Sequence, residues 1–329
     1  MTQVSEITEQ RHSSQEFPKQ SRLGTGLKLV KMLPKNLGRL KKVMVLNPAE
    51  PRYVRPPREY KLPPFRESMR YCASNEKYLR PTRWCNPREP EVIAMANELG
   101  AYDLSDYEFS DAAYWFVKTK LTAEMLPLDG VSATLKRGTG TCYHLISVWI
   151  ALCRAAGIKA RYKTFKMMLP DEFMRQAMTE RSEMMAGQMT ANMFNTGGTP
   201  EGEGEVCIDG KWVVGHVAMR PEILAGGGLP IPKFGEDAIG MTFKLVPGTI
   251  ERFESIPLKL GIAVKALMSV APAAMERANV IIQREITMGK KVIEEAGDLE
   301  TYDRKAREKF KRSSQTVEVE DNEALVFEE

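Results

Sequence analysis

The chain has 329 residues, of which 43% are apolar, and a mean hydropathy of −0.33, which is typical of a globular protein with one large domain or two smaller ones. Its net charge of +4 is too small to indicate nucleic-acid binding by itself. The five cysteines form no CxxC pair, which argues against a zinc site or a disulfide framework and favours a reducing, cytoplasmic setting.

We expect neither a signal peptide nor a transmembrane segment. The first fifteen residues are polar and lack an apolar region. The most apolar late segment, residues 260–275, is too short to cross a bilayer and carries Lys265 and Pro272.

Residues 1–65 have the pattern of a basic, proline-rich arm and linker. Within them, residues 19–48 hold eight Lys/Arg and no acidic residue, and leucines alternate with the basic residues. Two interpretations fit this segment: a solvated arm that packs its leucines on the protein, or a docking arm for an acidic partner or a membrane surface. The proline-rich residues 49–65 predict an extended strap.

Helical patterns follow the strap. Apolar residues at helical spacing predict helices over 90–102 and 110–126, with Ser110 as the N-cap of the second. A turn-rich loop leads next to a long apolar helix that starts at Cys142 and ends at Gly157.

The second half of the chain mixes strands and helices. Residues 158–169 read as a strand, and 205–219 as a β-hairpin that turns at Asp209–Gly210. Helix returns over about 257–312, and residues 313–329 are a strongly acidic tail. This order of elements predicts an α+β fold. Nucleic acid is not an expected partner, because the tail is acidic and the arm has no aromatic platform.

A methionine-rich helix is predicted over 171–194. Eight methionines lie between residues 167 and 193, and several of them share one helical face. Core packing would explain this stripe, and so would an adaptable surface for a substrate or a protein partner. Copper binding by thioethers has little support, because no His or Cys is interleaved.

Cys142 is the first candidate for chemistry. At a helix start, unpaired backbone N–H groups and the helix dipole stabilise a thiolate and can hold an oxyanion. Cysteine is also among the most buried residue types, so a thiol at the edge of the core is the other interpretation.

Two motifs resemble the transglutaminase-like superfamily of papain-type cysteine enzymes. The first surrounds Cys142 in TLKRGTGTCYHLISVWIALCRAAGIKARY, and the second is the hairpin EVCIDGKWVV. The matching residues are Leu135, Gly138, Gly140, Cys142, Ala151, Leu152, Arg154, Ala155, Gly157, Ile158, Ala160 and Arg161 in the first motif, and Glu205, Val206, Asp209, Gly210, Lys211 and Trp212 in the second. Residues 220–237 are similar to an extension that follows this hairpin in some relatives.

The resemblance implies a papain-type core over residues 66–240, in which the nucleophile helix packs on an antiparallel sheet. A helical C-terminal region, 241–312, would follow it. The resemblance implies no cofactor, and we expect no metal.

The resemblance also implies a nucleophile. In this sequence, however, the histidine and the acidic residue of the family's catalytic site have exchanged positions. Cys142 takes the place of the family's nucleophile. The family's histidine position falls on Glu201, and its aspartate position falls on His216. The alternatives are a solvated loop acid at Glu201 and a half-buried hairpin residue at His216.

His216 is the only histidine that could act as the base. His12 lies in the polar N-terminal segment, and His144 lies about 200° around the helix from Cys142. Alternation along the first hairpin strand places Glu201, Glu203 and Glu205 on one face, and we expect Glu201 or Glu205 to orient the imidazole.

These residues support two functions. The first is a cysteine enzyme that acts on amide bonds of a protein or peptide as a peptidase, amidase or acyl transferase, with Cys142 as nucleophile and His216 as base. The second is a non-catalytic protein of the same fold that binds within a larger complex, through the arm 19–48 and the helix 171–194.

Overall fold

The structure is a computed structural model of the full chain, and its described residues are 48–72, 74–168, 199–239, 244–245, 248–258, 261–262 and 272–310. They all belong to one compact unit, Val43–Glu329, and a second unit, Met1–Lys42, lies outside them. Outside them also lie the basic arm 19–48 except its last residue, the methionine-rich segment 171–194 and the tail 313–329.

The first half of the described chain is mainly helical. In chain order its elements are α1 Pro90–Glu98, α2 Asp106–Lys120, β1 Thr122–Ala123, α3 Val131–Arg137, β2 Thr139–Gly140 and α4 Cys142–Ala155. The short strands β1 and β2 pair in parallel. The long apolar helix that begins at Cys142 is thus confirmed.

Helix α2 begins earlier than its apolar pattern predicts. Ser105 is the N-cap: its hydroxyl accepts from the N–H of Glu108, whose carboxylate accepts from the N–H of Ser105 at 3.0 Å. The expectation that Ser110 caps this helix was wrong. Ser110 is buried within the helix, and its carbonyl accepts from Nε1 of Trp149 at 3.0 Å.

The second half supplies an antiparallel sheet. Its strands are β3 Ala160–Met168, β4 Thr199–Ile208, β5 Lys211–Gly215, β6 Lys244–Leu245 and β7 Glu251–Phe253. The order is β5-β4-β3-β6, and β7 also pairs with β3. The predicted hairpin is confirmed, with a longer first strand. Asp209 and Gly210 both have positive φ, at 49° and 77°, as a two-residue hairpin turn requires.

Helix α4 packs one side against this sheet and the other against the preceding helices. Trp149 is fully buried at its centre. A Cβ added at Gly204 on β4 or at Gly215 on β5 would lie 2.4 Å from the Trp149 ring. Two glycines, one on each strand of the hairpin, therefore let the strands approach the nucleophile helix closely. The fold is α+β, with an antiparallel sheet.

Three longer helices follow the hairpin: α5 Pro221–Gly226, α6 Pro272–Ala296 and α7, residues 299–310. A Cβ added at Gly289 of α6 would lie 1.7 Å from the Glu222 carbonyl oxygen, so α6 and α5 touch backbone to backbone. The hydroxyl of Tyr302 on α7 donates to the Leu229 carbonyl at 3.0 Å. The C-terminal helices thus pack on the segment that follows the hairpin. The division of the chain at residue 240 stays a prediction.

Within the part of the chain that the structure describes, no helix is both long and apolar enough to span a membrane. All five cysteines are described, and each is a free thiol.

Candidate functional site

A buried carboxylate holds the loop before Cys142 from one side. The hydroxyl of Thr139 and the guanidinium of Arg55 both donate to the Glu124 carboxylate, Arg55 through Nε at 2.8 Å and Nη2 at 2.7 Å. The backbone N–H of Glu124 also donates to the Gly140 carbonyl at 2.8 Å. Strand β2, which ends two residues before Cys142, is therefore anchored through both side chain and backbone.

Arg137 and Asp129 hold the same loop from the other side. Arg137 donates through Nε to the Thr139 carbonyl at 3.0 Å and through Nη1 to Asp129 at 2.7 Å. Burial alone would raise the pKa of Asp129, but hydrogen bonds from His144 and Arg137 hold it well below its usual range. Asp129 therefore stays ionised and links the two basic side chains.

His144 belongs to this scaffold. Its Nδ1 accepts from the N–H of Thr141 at 3.1 Å, and its Nε2 lies 3.1 Å from Oδ1 of Asp129. The backbone N–H of Asp129 also donates to Nε2 at 3.1 Å, so the imidazole contacts the backbone through both of its nitrogens. A Cβ added at Gly140 would lie 2.4 Å from Cβ of His144, so the glycine two residues before the cysteine makes room for the imidazole. His144 thus positions the helix start.

Cys142 is the first residue of α4 and is half-buried. Burial raises the pKa of its thiol, and the negative charge of the Glu201 carboxylate raises this pKa further. The backbone N–H groups of Tyr143 and Cys142 hydrogen-bond the sulfur and act in the opposite direction. Because the first two effects dominate, the resting group is the protonated thiol.

Glu201 is the titratable group whose negative charge acts on the Cys142 thiol. It lies on β4 opposite Phe165, is only 6% exposed, and accepts a hydrogen bond from the N–H of Gly202 at 2.9 Å. Burial raises the pKa of Glu201 to about 7, and the charge of Glu203 contributes. The interpretation of Glu201 as a solvated loop acid is therefore wrong. A carboxyl that titrates near neutral pH can both take up and return a proton.

His216 follows β5 and is fully buried, so the interpretation of it as a half-buried hairpin residue is wrong. Its carbonyl oxygen accepts from Nζ of Lys118 at 2.6 Å. Burial holds the pKa of the imidazole well below its usual range, and the charges of Lys118 and Lys163 lower it further. The charge that raises the pKa of the Cys142 thiol is that of Glu201. A role for His216 as the base stays a prediction.

Two of the alternating acids of β4 form ion pairs with basic residues of β3. Glu205 lies opposite Arg161 and accepts from its Nε at 2.6 Å, and it also contacts Arg252 at 3.1 Å. Glu203 forms an ion pair with Lys163 at 2.9 Å. The structure thus gives Glu205 two guanidinium partners, and its proposed role in orienting His216 remains untested.

The sequence analysis did not identify the charged residues that hold the loop before Cys142. Glu124, Arg55, Asp129 and Arg137 carry no spacing pattern that points to Cys142. The one local signal was the charged pair Asp129 and Arg137, which flanks the short helix α3 and the glycine-rich turn. Within the described residues, no three His, Cys, Asp or Glu side chains are grouped to hold a metal ion.

Comparison with known proteins identifies the domain that carries this site. Residues 93–214 match the family model of the transglutaminase-like superfamily. A crystal structure from Cytophaga hutchinsonii, described as a candidate cysteine protease, is 18% identical, with a TM-score of 0.33. The match covers 54% of this chain and 50% of the Cytophaga chain, so this chain spans about half the length of the protein that it matches. No curated protein matches. The chain therefore contains a transglutaminase-like domain over residues 93–214.

Proposed function

We propose that this protein is a cysteine enzyme that cleaves or transfers acyl groups at amide bonds of a protein or peptide substrate. The observation that carries the proposal is the buried carboxyl of Glu201, whose charge acts on the thiol of Cys142 at the start of α4. A nucleophile next to a proton acceptor is the arrangement that covalent acyl transfer requires.

In the proposed reaction, the sulfur of Cys142 attacks the substrate carbonyl while its proton passes to the Glu201 carboxylate. Backbone N–H groups at the start of α4 stabilise the oxyanion that forms. Collapse of this intermediate breaks the carbon–nitrogen bond, and Glu201 returns the proton to the leaving amine. Water or a second amine then attacks the thioester, which regenerates the thiol and gives hydrolysis or transfer.

His216 is the alternative base. For it to act, its imidazole would have to reach the sulfur from its present place beside Lys118 and Lys163. Replacement by glutamine tests this: a loss of acylation in His216→Gln as large as that in Cys142→Ala would assign the base to His216.

Trapping of the acyl-enzyme tests the proposal. The full chain is incubated with p-nitrophenyl acetate and with a peptide thioester, and the adduct is located by peptide mapping. We expect acylation at Cys142 that is absent in Cys142→Ala and slowed by about tenfold or more in Glu201→Gln, since a positioned base contributes a factor of this order or more. Cys207→Ser, which removes another half-buried thiol on β4, is the matched control and should acylate normally.

Two observations favour a second function. The thiol of Cys142 has a raised pKa, and the charges that act on the buried imidazole come from two lysines. A non-catalytic binding or assembly protein would tolerate both features. The absence of an adduct at every pH, with both acyl donors, would support that function over the enzyme.

A further inference from the structure

One side chain of the proline-rich strap, residues 49–65, contacts a residue that holds the loop before Cys142. The side chain of Arg55 is 51% exposed, but its guanidinium donates two hydrogen bonds to the carboxylate of Glu124, whose side chain is only 3% exposed. This ion pair joins residues 69 positions apart. The strap, unlike the domain motifs, lies outside the 93–214 family match.

Glu124 also contacts the loop before Cys142. Its carboxylate accepts from the Thr139 hydroxyl, and its N–H donates to the Gly140 carbonyl at 2.8 Å. The next two residues are Thr141, the N-cap of α4, and Cys142. An unbroken series of direct contacts therefore runs from the strap to the helix start.

We propose that Arg55 and Glu124 are positioning residues for Cys142, and that the Arg55–Glu124 contact, rather than docking of the strap in general, sets the reactivity of its thiol. Without Arg55 the buried carboxylate of Glu124 loses its counter-ion, which is costly. The carboxylate must then take up a proton or admit water, and the hydrogen bond that it accepts from the Thr139 hydroxyl weakens. The end of β2 then loosens, and the sulfur at the start of α4 becomes more accessible.

The strap itself offers the matched control. Arg277 of α6 holds it at Glu50, through Nε at 2.6 Å and Nη2 at 3.0 Å. This contact fastens the strap without touching Glu124 or the loop. Arg277→Gln therefore weakens strap docking in general, whereas Arg55→Gln removes the link to Cys142.

The experiment measures the rate of iodoacetamide alkylation at Cys142 against pH, by peptide mapping of the full chain. We expect Arg55→Gln and Glu124→Gln each to raise the rate near pH 8 by about threefold or more, because small displacements at a reactive group change rates by such factors. The double variant should match Glu124→Gln alone, since Arg55 acts through Glu124. Arg277→Gln should follow the wild-type profile.

Equal profiles for Arg55→Gln and wild type, or equal changes in Arg55→Gln and Arg277→Gln, would overturn the proposal. If Glu124→Gln does not fold, Thr139→Val tests the same contact from the loop side, because it removes only the hydroxyl. The consequence for turnover rests on the proposed enzyme function. Alkylation needs no turnover, so a wild-type chain that forms no acyl-enzyme would contradict that function while leaving this test intact.

Discussion

Glu201 is buried, and the loss of water around its carboxyl raises its pKa from 4.5 to about 7. The folded protein therefore binds this proton more tightly than the unfolded chain does. As pH rises from 4.5 through 7, the group lowers the free energy of unfolding, because the native state must bury a charge. The same effect that equips Glu201 to exchange protons makes it a cost to stability above neutral pH.

We predict that Glu201→Gln stabilises the protein at pH 8 by up to about 3 kcal/mol, because burial raises the pKa of Glu201 from 4.5 to about 7, and changes stability little at pH 4.5. Urea unfolding at the two pH values measures this. Glu205→Gln is the control, because it breaks ion pairs with Arg161 and Arg252 and should destabilise the protein near pH 8. A Glu201→Gln variant that is less stable than wild type at pH 8 would contradict the burial argument.

At the scale of elements, the packing of α4 on the hairpin decides where Cys142 lies. Trp149 fills the space that Gly204 and Gly215 leave on neighbouring strands. Gly202, two residues earlier on β4, faces the flexible end of Ile146, where an added Cβ would lie 3.0 Å from Cδ1. The indole of Trp149 is rigid and cannot shift to accommodate an added methyl group, whereas the end of the Ile146 side chain can.

We predict that Gly204→Ala lowers the free energy of unfolding by about 2 kcal/mol or more, because the added methyl group overpacks the core. Gly202→Ala should cost less than about 1 kcal/mol, since the neighbouring side chain can shift. Thermal and urea unfolding of the two variants measures the difference. Equal losses would show that strand propensity, rather than the indole, sets the cost.

At the scale of the whole molecule, the C-terminal helices brace the segment after the hairpin. Gly289 of α6 touches the Glu222 carbonyl, and Arg307 of α7 pairs with Glu236 at 2.7 Å. In an isolated helix, Gly→Ala would stabilise by about 1 kcal/mol. The contact with α5 should reverse this sign.

We predict that Gly289→Ala destabilises the protein by about 2 kcal/mol and exposes the C-terminal helices to limited proteolysis, because the added Cβ separates α6 from α5. Met288→Ala, at an exposed neighbour on the same helix, should be nearly neutral. A more stable Gly289→Ala variant would mean that α6 does not dock in this way.

The sequence predicts those features whose cause is local. The hairpin follows from Asp209–Gly210 between two apolar runs, and α4 follows from its apolar pattern and the stop at Gly157. The start of α2 could also be read locally, because Ser105 and Glu108 have capping-box spacing, but the apolar pattern pointed to Ser110. Ser110 instead meets Trp149, 39 residues away.

The candidate site could be predicted only in part. Cys142 is marked by its motif, but the burial of Glu201 depends on the pairing of β3 with β4, which are separated by residues 169–198. The pair Arg55–Glu124 spans 69 residues and the contact of Lys118 with His216 spans 98. Such long-range pairs of charged or polar groups follow no period in the sequence.

The pairing of Cys142 with Glu201 is open to one decisive measurement, the pH dependence of Cys142 alkylation in wild type, Glu201→Gln and His216→Gln. We expect an apparent thiol pKa above the ordinary value of about 8.5 in wild type, a lower one in Glu201→Gln, and no change in His216→Gln. Glu201→Gln should therefore alkylate faster near pH 8 although it acylates more slowly. An apparent pKa below about 7 that rises in His216→Gln would instead assign the thiol to a thiolate–imidazole pair and contradict the proposed role of Glu201.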